Sequence, residues 1–204
     1  MSHIDEKIII LKEQHTTAME KQKARKEKIQ QVVAEMLEGK ILTDQLDIEV
    51  EKYSFFGGSV SMYMPKYFEE MTTEHADIKY PSINRPQLLY TNSEDTVNIG
   101  LTLLDDEVFK KEDIIDFRDA MLEAFRSVNP TSKILDKGNF ELTEDTPLAY
   151  YTFDSLAMGG GMYNLLLATL IDSKILVVSL NCVAKEAEQN EMLFYGIMHS
   201  LTLA

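Results

Sequence analysis

The chain has one cysteine, little positive charge relative to negative, and no apolar run long enough to cross a bilayer. Each shortage removes a class of explanation. A single thiol, Cys182, excludes an intrachain disulfide and a zinc site built from this chain's thiolates. It stands in the apolar stretch 174–183, where a small buried hydrophobe is its expected role. The most apolar region, 165–180, is interrupted by Asp172, Ser173 and Lys174. A bilayer span needs about 18–20 apolar residues in a row, so no membrane span is expected. The opening Met-Ser-His-Ile-Asp-Glu-Lys leads into only four consecutive apolar residues, Ile8 to Leu11. That is not the profile of a signal peptide, and it predicts a cytoplasmic protein.

The charge is distributed unevenly. There are 20 Lys/Arg against 34 Asp/Glu, for a net −14. Residues 1–39 hold seven of each sign, so the rest of the chain carries the whole imbalance. A globular part that acidic repels phosphate backbones and anionic headgroups, which excludes nucleic acid as an expected partner. Solubility is the simplest role for the charge.

Catalytic and cofactor motifs are missing too. None of His3, His15, His75 and His199 stands in H-E-x-x-H or in a helical metal pair. His75 follows Glu74 in a segment with Asp77, where a solvated histidine is a better expectation than a base or ligand. Asp105-Asp106-Glu107 and Glu112-Asp113 lack the alternation and mid-loop glycine of a calcium loop, and suit the start of a helix instead. Gly159-Gly160-Gly161 is followed by Met162 rather than by the Lys-Ser/Thr of a phosphate loop, so a hairpin or bulge is expected. Ser54, Ser155 and Ser200 have no nucleophile-elbow context. No catalytic, cofactor-binding or metal-binding residue is assigned, and no cofactor is implied.

What is present is architecture. Residues 2–38 contain no Pro or Gly and end at Gly39, which predicts a charged helix. Ser2 and Asp5 resemble a capping box at its start. Ile4, Ile8, Leu11, His15, Ala18, Gln22, Arg25, Ile29, Val32 and Met36 recur at alternating steps of four and three, a coiled-coil seam. The seam is apolar at both ends, through Ile4, Ile8 and Leu11 and through Ile29, Val32 and Met36. Its middle, Glu20 to Lys28, is polar. Two readings stay open: both ends pack on the chain's own domain, or the helix forms a homodimer. The division is therefore 1–39 as an N-terminal helix and 40–204 as a single α/β domain.

Beyond the helix, a connector over 40–52 leads to a strand ending at Phe55. Gly57-Gly58 then predicts a hairpin into Ser59–Met64, where Val60, Met62 and Met64 share a face. Lys66–Met71 reads as a helical turn and 72–87 as a loop. A second hairpin joins Gln87–Asn92 to Thr96–Leu104. Lys111–Val128 switches to helical period, with Ile114, Phe117, Met121, Phe125 and Val128 in one stripe. Further strands follow around Phe140, over Leu148–Phe153, Tyr163–Ile171 and Lys174–Val183, and Lys185–Leu201 closes as a helix. Tight turns between successive strands predict an α+β fold: a mainly antiparallel sheet covered by helices, sandwich-like, behind a long N-terminal helix.

The order of elements, with Phe-Phe-Gly-Gly-Ser-Val-Ser-Met-Tyr-Met-Pro at 55–65 and the bulky pair Tyr67-Phe68 after it, resembles PsbP-like and DcrB-like domains over 48–203. The resemblance implies that fold and a mostly non-enzymatic role as an assembly or binding subunit. Some bacterial relatives resemble adaptor chaperones for secreted toxins. No family binding residue maps onto this sequence.

Methionine is the compositional oddity, with 11 residues. Met62, Met64, Met158 and Met162 flank the two glycine turns. Met suits surfaces that accept varied apolar segments, so these four are a candidate partner-binding surface, with core filling as the alternative. The leading expectation is a protein-binding adaptor, chaperone or assembly subunit linked to bacterial secretion. A small-molecule or lipid-binding domain with a pocket between sheet and helix is the second, and an enzyme of unknown type the third.

Overall fold

The structure is a computed structural model. It describes residues 3–43, 47–104, 108–157 and 159–204, with side chains at Thr16 and from Met19 onward. The chain begins with helix α1 (His3–Leu37). Gly39 leaves it at φ 92°, a conformation that glycine takes without strain. Strand β1 (Lys40–Leu42) pairs antiparallel with β2 (Asp47–Phe55). A 3-10 turn, Phe56–Gly58, closes the hairpin to β3 (Val60–Pro65). The two-residue β4 (Glu69–Glu70) and helix α2 (Thr73–Lys79) follow. Next come β5 (Leu88–Thr91), β6 (Val97–Leu104) and helix α3 (Asp113–Val128). Four long strands succeed them: β7 (Lys133–Thr143), β8 (Thr146–Ala157), β9 (Gly160–Ile171) and β10 (Lys174–Val183). Helix α4 (Ala187–His199) and β11 (Thr202–Leu203) close the chain.

The strands form two sheets rather than one. A four-stranded sheet has the order β1-β2-β3-β11, and a seven-stranded sheet the order β4-β5-β6-β10-β9-β8-β7. Every described pairing is antiparallel. The fold is therefore α+β. The large sheet is covered on both faces, and alternation along its strands sorts the side chains. Leu165 and Leu167 of β9, with Leu176, Val178 and Leu180 of β10, point into the main core shared with the small sheet, α1 and α4. Ala168 and Ile175 point the other way, toward α3. Leu89 faces Met71 and Ala76 beside α2.

Two sequence expectations need correction. Lys66–Met71 is a turn and a short strand, not a helical turn. Residues 73–79, expected as loop, form α2; the Thr72 hydroxyl caps it by accepting the His75 N–H, and Glu74 lies in its first turn. The capping residues outweighed the lack of an apolar stripe.

The last turns of α1 belong to the core. Val32 and Met36 are fully buried, and Ile29 packs beside them. They lie over Gly196 of α4. A Cβ built there would sit 2.9 Å from Val32 Cγ1 and 3.0 Å from Met36 Cε. Gly196→Ala inside a helix normally stabilises by about 1 kcal/mol through propensity. Here it is expected to destabilise, since overpacking costs about 1–3 kcal/mol. Adding Val32→Ala should recover much of that loss; urea denaturation of the two single variants and the double variant checks it.

Candidate functional site

Because α1 is held down on α4 by its last turns, its middle crosses beside β7 and leaves a cleft of about 480 Å³. One wall is α1, with Gln22, Lys26 and Gln30. The other is the β7 segment 136–140, and Tyr150, Tyr195 and His199 form the floor. Period-two alternation turns Asp136, Gly138 and Phe140 toward the cleft side of the strand. Gly138 makes room for Tyr150, because a Cβ there would come within 2.7 Å of the Tyr150 hydroxyl and displace that ring.

Arg25 organises the charge in this cleft. Its Nη1 donates to Asp136 Oδ2 at 2.9 Å, and its Nη2 donates to Glu191 Oε1 at 2.8 Å and to the Tyr195 hydroxyl at 2.7 Å. The guanidinium carbon lies 4.6 Å from the Tyr195 ring centre, a cation–π arrangement. Tyr195 in turn donates to Asp136 Oδ2 at 2.9 Å. Burial opposes the charge on Arg25, but the hydrogen bond to Asp136 and the fields of Tyr195 and Glu191 outweigh it, so its pKa is raised. Burial raises the Tyr195 phenol well above its usual range, partly offset by Arg25. Around neutral pH, Arg25 is therefore a fixed cation and Tyr195 a fixed neutral donor.

His199 sits at the other end of the floor. Its ring stacks on Phe140, with centroids 4.3 Å apart and planes 20° apart. Burial lowers its pKa. The imidazole is thus neutral near neutral pH and presents an aromatic step rather than a charge.

A second polar cluster lies beneath α2. Lys79 Nζ donates to the backbone and carboxylate oxygens of Asp95 and to Asn98 Oδ1. Asp95, at φ 58°, also meets His75 Nε2 at 3.1 Å and Thr91. Burial pushes the Asp95 pKa up, but the bonds from Lys79 and His75 prevail and lower it. All three ammonium protons of Lys79 are used, so this cluster pins α2 to the β5–β6 turn. His75 belongs to that pin, not to an open loop. Among the described residues, no group of three His, Cys, Asp or Glu is placed to hold a metal. Cys182 is buried, and burial pushes its thiol up to about 12; it is an inert core residue.

The residues singled out from sequence separate. Met62 and Met64 lie fully inside the main core, which corrects their assignment to a surface. They occupy the face of β3 that packs on the large sheet. Met162 is half-buried and lines a different depression, with Leu156 and Ala187. Met158 and the side chains of Ile4, Ile8 and Leu11 lie outside the described residues. Ile29 lines the cleft, while Val32 and Met36 anchor its helical wall. Sequence reasoning missed Asp136, Glu191 and Tyr195. The available signal was Arg25, a charged residue on a seam otherwise apolar at its ends.

No family model matches the chain, and no curated protein matches it. Solved structures do. Cyanobacterial PsbP (CyanoP) of Synechocystis sp. PCC 6803 superposes with a TM-score of 0.56 at 8% identity, over 80% of this chain and 97% of that one. LpqN of Mycobacterium tuberculosis, involved in cell envelope biogenesis, superposes with a TM-score of 0.51 at 11% identity, over 77% of this chain and 91% of that one. These likenesses show the fold: the chain is PsbP-like in architecture.

Two outcomes follow from the cleft. Arg25→Met leaves two half-buried carboxylates without their cation. It is expected to release the middle of α1, read as faster amide exchange over 20–30, with exchange in β9 and β10 unchanged. The lowered His199 pKa means that the folded chain binds fewer protons than the unfolded one between the folded value and about 6.5. This contribution to stability is complete above about pH 6.5 and is lost as pH falls below it. His199→Phe keeps the stack on Phe140 and should flatten that slope in denaturation measured across the range.

Proposed function

We propose that the chain is a non-catalytic binding module, an adaptor or assembly subunit that takes a protein segment into the cleft between α1 and β7. One observation carries this reading: Arg25, Asp136, Glu191 and Tyr195 are bonded to one another, while the open side is lined by amides, the Phe140–His199 stack, Lys26 and backbone. General acid–base chemistry needs a group free to exchange protons near the working pH. Arg25, Asp136, Glu191 and Tyr195 instead form a closed set that holds the wall in place. Gln22, Gln30, Asn139 and Phe140 remain to meet a ligand. Amides and aromatic rings pair with a peptide main chain and its side chains. The PsbP-like fold is compatible with this role and does not by itself decide it.

An adaptor or chaperone acting in the cytoplasm beside a bacterial secretion system is the finer form of the same reading. In this picture the apolar sequence positions Ile4, Ile8 and Leu11 serve a second contact, with the partner or with another copy.

A second reading has a specific basis. The cleft volume falls within the range of small-molecule sites, about 300–1,000 Å³, and the cleft lies between sheet and helix. A photo-crosslinking amino acid at Asn139, used in the native host, separates the two. A protein adduct at Asn139, with none from the same probe at Glu69 on the far sheet edge, is expected. Absence of a protein adduct, with a small molecule retained in native mass spectrometry of the purified chain, would replace the first reading with the second.

A further inference from the structure

The two edges of the seven-stranded sheet are built differently. At one end stands β4, two glutamates long. At the other stands β7, with 11 residues, which among the described residues pairs only with β8. A strand end made of two acidic residues is a poor template for another chain, and a long unpaired edge is a good one. The carbonyl of Gly138 is held by Arg118 of α3 at 2.9 Å; no side chain of α1 bonds the backbone of 136–140 among the described residues. The cleft opens along this same segment.

The stretch of α1 beside the edge carries charge opposite to that of the molecule, while β7 itself is balanced. Over 20–28, α1 carries five basic residues and two acidic ones, in a chain of net charge −14. Arg25 is neutralised by Asp136 and Glu191, Lys23 pairs with Glu27, and Lys137 with Asp119. Lys26 on the cleft wall makes no ion pair among the described residues, whereas Lys133 at the start of β7 lies across from Asp154 of β8. The local field therefore favours an anionic occupant, while the rest of the surface repels one.

We propose that β7 accepts an extended acidic segment of another protein as an added strand, seated between its open edge and α1. The proposal rests on reading the cleft as a protein-binding site, and it names the chemistry of the partner. Strand addition draws affinity from main-chain hydrogen bonds, and alternate side chains of the guest enter pockets. On the α1 side, those side chains meet the Phe140–His199 step and Lys26. A second copy of the chain fits less well, since its own β7 is balanced in charge and its net charge is repulsive.

The test uses the full chain and two synthetic peptides of about ten residues, a strand's length. One alternates Glu and Val; the other alternates Lys and Val. Fluorescence anisotropy should show binding of the Glu-Val peptide that weakens as salt is raised. Amide exchange should slow over 136–140. The variant Lys26→Glu, at an exposed site on the cleft wall, should lose about tenfold in affinity, or about 1.4 kcal/mol, with an unchanged melting temperature. Equal binding of the Lys-Val peptide overturns the proposal. So does binding without protection of 136–140, or a dimer whose β7 amides are protected with no peptide present. A protein adduct at Asn139 together with an unprotected β7 sinks strand addition and leaves the binding-module reading standing. No adduct and no peptide binding sink both.

Discussion

The approach of α1 to α4 at Gly196 is the contact on which the rest of the arrangement depends. With no side chain at that position, Val32 and Met36 can lie directly on the backbone of α4. That fixes the end of α1 in the main core and sets the line along which its preceding turns run. The line carries Arg25 over β7 and holds the helix off the strand elsewhere. The cleft is thus a consequence of a helix pinned at one place and tied at another. A β-branched Val at the contact sharpens the constraint, because its χ1 has little freedom to move aside.

The tie at Arg25 obeys a different balance. Its side chain and those of Asp136 and Glu191 are about one-third exposed, so desolvation is partial and the pairing is screened in part by water. A fully buried triad would cost more to desolvate than it returned. A fully exposed one would hold nothing in place. At this depth the cluster gives position rather than a large share of stability, which suits a wall that must keep its distance from a strand. Planar donors on Arg25 reach two carboxylates and a phenol at once, and a lysine ammonium could not match that fork.

Much of the architecture was legible in the sequence. Alternation marked β6, apolar runs on either side of Asp172-Ser173 marked β9 and β10, the helical period marked α3, and a glycine pair marked the first hairpin, because each signal arises from local sequence. The division into two sheets was not legible: whether β2 and β3 extend a sheet or stack on it depends on distant partners. Helix α2 was missed since seven mostly polar residues carry no apolar stripe, and only Thr72 and Glu74 hinted at it. Met62 and Met64 were drawn toward a surface role by their residue type, although their alternation with Ser61 and Tyr63 already described a core-facing strand. The candidate site was the least visible part. Arg25 finds its partners 111 and 166 residues away along the chain, and no local pattern records that separation.

The edge of β7 shows why such a site can persist without aggregation. A long open strand is a hazard when it is flat and apolar. This one is interrupted by register shifts near Leu135 and Leu142 and carries Lys133, Asp136, Lys137 and Glu141 along its length. The irregularities break long-range registry with an arbitrary partner, while the stretch from 136 to 141 between them stays regular. α1 stands beside that regular stretch and limits the width of whatever approaches. The result is selective exposure: a short run of backbone presented under a wall of local positive charge, in a molecule whose remaining surface is acidic. In this arrangement the protection against self-association and the preference for a particular guest come from the same few side chains.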